Sequence, residues 1–100
     1  MNLGPTIKNL RQQKGLTQTE FALKAGITQT YLSQIENNLK DPNISVLKKL
    51  AEELAVPLPI IFFLSIDQTD IAPEKRDAFD KLGQSAKALI NEFFVNPSSA

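Results

Sequence analysis

Thr17-Gln18-Thr19-Glu20-Phe21-Ala22-Leu23-Lys24-Ala25-Gly26-Ile27-Thr28-Gln29-Thr30-Tyr31-Leu32-Ser33-Gln34-Ile35-Glu36-Asn37 holds two sets of helix start and stop signals in one short stretch. Thr17 stands three residues before Glu20, the spacing at which a hydroxyl and a carboxylate reciprocally satisfy two orphan backbone donors. A helix therefore starts there, with Phe21, Ala22 and Ala25 facing inward. Gly26 ends it in the left-handed conformation, and Thr28 caps the next helix almost at once. That next helix is expected from about Gln29 to Asn37, with Leu32 and Ile35 as its buried pair. Gln29, Thr30, Ser33 and Gln34 are left on its outer side, a polar but uncharged face. Two short helices joined by a very tight turn are the expected centre of the fold.

Working outward, the apolar residues recur at three and four, and β-branched alternation is nowhere sustained, so the chain reads as all-α. Gly4-Pro5 opens a first helix with Ile7 and Leu10 on one face, ended by Gly15. Asn37-Asn38 ends the third helix, since Asn tolerates the left-handed region. Asp41-Pro42-Asn43 forms a turn and an N-cap for a fourth helix carrying Ile44, Leu47, Leu50, Ala51 and Leu54. Pro57 and Pro59 place the start of a short fifth helix near Leu58, with Ile61 and Phe62 inward.

Ser65 to Ala72 is polar, and a long amphipathic stretch follows from about Pro73 to Phe94. Ala72, Phe79, Ala86 and Phe93 are seven apart, with Leu82 and Leu89 as the second apolar position of the same heptads, a seam that expects a partner. Gly83 within it lowers helix stability by ~1 kcal/mol relative to Ala, and a small residue there allows close helix approach. Asn96-Pro97 stops the helix and Ser98 to Ala100 are expected to fray. The reading divides the chain into a domain over 1–66, a connector over 67–72, a C-terminal helix over 73–95 and a flexible tail over 96–100.

The 100 residues, 42% apolar and 22% charged, suffice for one domain with its own core. Cys and His are both absent, which removes thiolate nucleophiles, disulfides, Cys/His zinc sites and imidazole acid–base catalysis. Glu52 and Glu53 are adjacent, so on a helix they point about 100° apart and form a solvated face rather than a catalytic pair. No enzyme activity, metal, cofactor or small-molecule ligand is expected. No apolar run approaches the ~20 residues of a membrane span, and Met1 to Leu10 lacks the features of a signal peptide, so the expected compartment is the cytoplasm. Net charge is zero but unevenly spread. Lys8, Arg11, Lys14, Lys24, Lys40, Lys48 and Lys49 against Glu20, Glu36, Asp41, Glu52 and Glu53 leave +2 through Ile66 and therefore −2 beyond it. A polyanion would meet the first part.

Leu10-Arg11-Gln12-Gln13-Lys14-Gly15-Leu16-Thr17-Gln18, followed by Ala25-Gly26-Ile27-Thr28-Gln29-Thr30-Tyr31-Leu32-Ser33-Gln34-Ile35-Glu36-Asn37, resembles the helix-turn-helix family of the lambdoid phage Cro and repressor proteins. The resemblance runs from about Ile7 to Leu64 and includes Pro42 and Leu50-Ala51-Glu52-Glu53-Leu54-Ala55-Val56. It implies a five-helix repressor-like domain whose third helix lies in the major groove of DNA while the second bridges the phosphates. It places Gln29, Thr30, Ser33 and Gln34 at base-contacting positions. The chemistry agrees, since Gln pairs bidentately with adenine N6 and N7. Gln18 matches a residue that holds a phosphate and braces the first Gln of the recognition helix; Thr28, Tyr31, Asn37, Lys40 and Lys14 are further candidate phosphate contacts. Arg11 and Glu36 match a structural ion pair, the alternative for Arg11 being a phosphate contact.

The implied function is a sequence-specific transcriptional regulator, a repressor that binds a palindromic operator as a homodimer through Phe79, Leu82, Ala86, Leu89 and Phe93. The alternative from another class is an antitoxin-like or coactivator-like protein-interaction module on the same fold. Two departures from the family pattern stand out. Asn38 occupies a position where Gly is usual, and Leu23, Leu39, Ile60 and Phe63 are apolar where polar residues are usual. The C-terminal helix is the expected cover for these four.

Overall fold

In the computed structural model, which describes residues 1–95, the chain is helical throughout. The helices are α1 (Leu3–Gln13), α2 (Gln18–Ala25), α3 (Gln29–Glu36), α4 (Ile44–Leu54), α5 (Leu58–Ser65) and α6 (Arg76–Ile90). The expected tail over 96–100 lies outside the described residues.

Local chemistry sets the starts of the middle helices. At α2 the Thr17 hydroxyl accepts from Glu20 N–H at 3.1 Å while Glu20 Oε1 accepts from Thr17 N–H at 3.0 Å. Those bonds favour the charged carboxylate, and they hold the Glu20 carboxyl below its ordinary range, the Thr17 backbone N–H contributing most. Thr28 Oγ1 accepts from Tyr31 N–H at 3.0 Å to open α3, and Asn43 Oδ1 accepts from Val46 N–H at 2.9 Å to open α4. Gly15 and Gly26 turn the chain at φ 74° and 71°, values that cost glycine nothing.

One helix start is capped from a distance. Asn2 gives α1 no side-chain cap. Gly4 N–H donates instead to Oδ1 of Asn38, at 3.1 Å, from the turn after α3. Asn38 has φ 58°, so the expected left-handed turn is made here by Asn. Gly4 lies flush on the end of α3: a Cβ there would stand 2.3 Å from the carbonyl oxygen of Ile35.

Phe21, Ile7, Leu32, Ile35, Leu50, Leu54, Val56 and Ile61 are almost wholly buried and form the core of α1–α5. Leu16, Ile27 and Phe62 pack against it half-buried. Burial on this scale, at about 25 cal/mol per Å² of apolar surface, is the main force holding the five helices together.

The C-terminal stretch departs from the expected single long helix. Pro73–Lys75 is a 3₁₀ turn, α6 covers Arg76–Ile90, and Asn91–Val95 winds as a π turn. Proline at the head of the turn supplies no N–H, and Ala72, the first expected heptad position, is outside the helix. The π turn brings Val95 into the core at 4% exposure. Phe79 lies against Phe63 with ring centroids 6.5 Å apart. Phe63 is thus half-buried, and Ile60 is half-buried against the core, but Leu23 and Leu39 stay 81% and 74% exposed, so the expected cover is seen at Phe63 and does not reach Leu23 or Leu39. A Cβ on Gly83 would meet only Phe79 Cε1, at 3.9 Å, so no close helix approach depends on this glycine within the protomer.

Candidate nucleic-acid interface

The site is built where α2 and α3 begin. Gln18 is the first residue of α2 and Gln29 the first of α3, and the tight Gly26–Thr28 turn brings the two starts together. Gln29 Nε2 donates to Gln18 Oε1 at 2.7 Å, and Gln18 Nε2 donates to Glu36 Oε1 at 2.9 Å. Glu36 is 2% exposed and accepts from Arg11 Nε at 2.7 Å and from Arg11 Nη2 at 3.1 Å. Arg11 Nη1 also donates to the Leu16 carbonyl at 2.8 Å. A buried charge is tolerated when its hydrogen bonds are made, and here both partners are engaged. The guanidinium lies beneath the fold's surface, in the geometry of a structural tie.

The outer side of α3 carries no exposed charge, since Glu36, its one ionisable carboxylate, points inward. Gln29 and Thr30 are exposed, whereas Ser33 and Gln34 are half-buried at the edge. Tyr31 is half-buried against the core. Asn37 is exposed and its Nδ2 donates to the Ser33 carbonyl at 2.9 Å, which holds it beside the helix end. Thr28 and Lys40 are exposed, Thr28 with its hydroxyl oxygen already engaged in the cap.

Lys14 is placed elsewhere. Its Nζ donates to the Phe94 carbonyl at 2.6 Å, so the ammonium meets the end of the π turn. An orphan carbonyl at a helical C-terminus is a favourable seat for a cation, and it competes with the expected phosphate contact. Of the residues expected in the C-terminal seam, Leu82, Leu89 and Phe93 are exposed at 72%, 60% and 74%. Phe79 and Ala86 are half-buried, Phe79 against Phe63 of α5. Two features escaped the sequence reading: the long-range cap of Gly4 by Asn38, and the bond from Gln18 to Glu36. An Asn at a left-handed position was the one available signal, for the first of them.

Two adjacent helix starts, the second exposing polar side chains, define a helix-turn-helix unit. The chain belongs to the Helix-turn-helix family, whose model matches residues 7–61. Among curated relatives, the HTH-type transcriptional regulator SinR of Bacillus subtilis is 44% identical over 55 residues, 54% of this chain and 50% of SinR. The immunity repressor protein of Bacillus phage phi105 is 34% identical over 61 residues, 61% of this chain and 42% of the repressor. The matched segments thus span about half the length of these two relatives. In structure, the chain is similar to SinR, the master regulator for biofilm formation, crystallised in complex with DNA. That match has a TM-score of 0.58 and 39% identity, covering 60% of this chain and 97% of the other. A SinR/SinI protein complex is similar over 87% of this chain and 80% of the other, with a TM-score of 0.60 and 33% identity. Its relatives are transcriptional regulators.

Proposed function

We propose that this chain is a sequence-specific DNA-binding repressor that occupies a palindromic operator as a homodimer. The observation that carries the reading is the Gln18–Gln29 bond at the head of an exposed, uncharged α3 face, in a chain 39% identical to a protein crystallised on DNA. In this reading α3 enters the major groove, with Gln29, Thr30, Ser33 and Gln34 on base edges. Gln18, Thr28, Tyr31, Asn37 and Lys40 hold phosphates on either side, helped by the partial positive charge of the α2 start. Lys14 joins them only if it leaves the Phe94 carbonyl. Residues 1–66 are the DNA-binding unit, 67–72 the connector and 73–95 the assembly element. The reading needs no cofactor, catalytic step or membrane and places the protein in the cytoplasm; among the described residues no helix is long and apolar enough to cross a membrane.

Dimerisation follows from energetics, because one recognition helix reads only a few base pairs and the +2 of the first 66 residues gives little non-specific affinity. Leu82, Leu89 and Phe93 form the outward apolar stripe proposed as its centre, with Phe79 and Ala86 at its inner edge. The SinR/SinI likeness, which extends over 87% of this chain, favours a second use of the same region by a different protein partner. Selection from a randomised duplex library tests the main reading. The expected product is a palindrome with half-sites about 34 Å apart. The expected bases facing Gln29 and Gln34 are A·T pairs. Sedimentation at micromolar concentration is expected to show a dimer that Leu82→Lys with Leu89→Lys converts to a monomer of lower operator affinity. A library that yields no enriched sequence defeats the reading.

A further inference from the structure

The connector between α5 and α6 is closed by hydrogen bonds. Asp67 N–H donates to Asp70 Oδ2 at 3.0 Å and Thr69 N–H to Asp67 Oδ1 at 2.9 Å, which folds Gln68–Asp70 into a 3₁₀ turn. Arg76, the first residue of α6, reaches back onto that turn: its Nε donates to the Gln68 carbonyl at 2.8 Å and to the Ile71 carbonyl at 3.0 Å. Gln68 Nε2 returns the tie by donating to Asp80 Oδ2, one turn further along α6, at 2.8 Å. On the other side, Asn2 N–H donates to the Ser65 carbonyl at 2.6 Å and fastens the end of α5 to the start of α1. The far end of α6 is held as well, through Val95 in the core and the Lys14 ammonium on the Phe94 carbonyl. A free polar linker would leave the direction of α6 open, whereas these bonds fix it.

We propose that Arg76 and Gln68 are positioning residues for operator geometry: by locking α6 at one angle to the recognition helix, they make the protein selective for a single separation between half-sites. The inference rests on the dimeric DNA-binding reading above. In that dimer Leu82, Leu89 and Phe93 of two copies meet, so the angle of each α6 on its own domain sets how far apart the two α3 helices stand. Moving one half-site by a single base pair shifts it ~3.4 Å along the duplex and turns it ~34° about the axis. A rigid dimer cannot follow, so the DNA is strained or one half-site is released. A loose dimer follows readily: α6, with 15 residues, is about 22 Å long, and a swing of about 10° carries one end about 4 Å. The Arg76 Nε and the Gln68 amide are spent within the protomer, so the clamp opens without touching the outward stripe.

The test uses the full chain, the duplex returned by selection, copies with the half-sites one base pair closer or farther apart, and a duplex with one half-site. Anisotropy titration of the wild type is expected to show a loss of about tenfold or more for either change of separation. Arg76→Met with Gln68→Met keeps unbranched helix-forming stems and removes the side-chain bonds between connector and α6. This variant is expected to remain a dimer in sedimentation, to bind the single half-site as the wild type does, and to lose less than about threefold at either altered separation. Amide exchange in the DNA-free protein reports the opening: Ile71 N–H, which donates to the Gln68 carbonyl at 3.2 Å, is expected to exchange faster while the amides of Leu32 and Leu50 hold. If the double variant does not fold, Gln68→Met, at an exposed position, decides alone with a smaller change of the same sign. A folded, dimeric variant that keeps the wild-type penalty at both separations overturns the proposal and leaves DNA binding standing. So does a variant that falls into monomers, which would put the clamp in the subunit interface. A wild type that selects no sequence overturns the reading beneath it as well.

Discussion

The segment from α1 to α5 and the segment around α6 are built on different terms. In the first, α2, α3 and α4 each begin on a side chain that accepts a backbone amide, and an ion pair buried beneath the surface ties α1 to α3. In the second, α6 begins on Lys75 with no side-chain cap, and among the described residues only Val95 joins the buried apolar set from beyond Ile61. Leu82, Leu89 and Phe93 meanwhile face solvent. The first segment satisfies its own buried polar groups and supplies nearly all of the buried apolar core, with Leu23 and Leu39 left exposed at its surface, so its shape is largely specified from within. The second leaves apolar surface over, so part of its specification lies in what it meets.

Substitutions can break or sharpen this contrast. The largest effect is expected from Arg11→Met, which strands the Glu36 carboxylate with Gln18 alone. About 3 kcal/mol of stability should be lost in urea unfolding. A stable Arg11→Met protein with weakened DNA binding would instead make Arg11 a phosphate contact. Gly4→Ala drives a methyl group against the Ile35 carbonyl, and a loss of about 2 kcal/mol is expected, read by the same denaturation curve.

Smaller and opposite in sign are two exchanges across the divide. Ala55, at φ 56° after α4, gains about 1 kcal/mol when replaced by Gly. Gly83, within α6 and with room for a Cβ, gains about 1 kcal/mol when replaced by Ala. Thermal melts check both, and a destabilised Gly83→Ala protein would mean that another helix seats closely on α6 in solution. The smallest effect concerns pH. The folded Glu20 carboxyl titrates below its ordinary value of 4.5, so its contribution is complete above that pH and is lost as pH falls through the lower, folded value. Glu20→Gln is expected to flatten the acid side of a stability-against-pH curve.

What the sequence disclosed follows the range of the interactions. Thr17 with Glu20, Thr28 with Tyr31 and Asn43 with Val46 act over three residues, and each helix start was legible in the order of side chains. Apolar spacing likewise identified Phe21, Leu32, Ile35, Leu50 and Leu54 as core. The resemblance to the repressor family supplied the pairing of Arg11 with Glu36, which spacing alone does not reveal. Contacts across the chain left no such trace. Gly4 meets Asn38, and Lys14 meets Phe94, through packing that no local pattern encodes. The heptad count at α6 joined Ala72, Phe79, Leu82, Ala86, Leu89 and Phe93 into one seam, whereas the 3₁₀ start, the π turn and the contact with Phe63 divide it between an inner and an outer side. Ala55 gave no warning of its left-handed backbone; the cap it forms there is followed directly by Val56, 2% exposed.

Tyr31, half-sunk in α3, is the only tyrosine in a chain without tryptophan. Near-ultraviolet emission excited at tyrosine wavelengths therefore arises at a single known point on the helix proposed to enter the groove. Quenching of that native fluorophore by an arriving duplex offers a label-free optical record of docking, with no second chromophore of its kind to subtract.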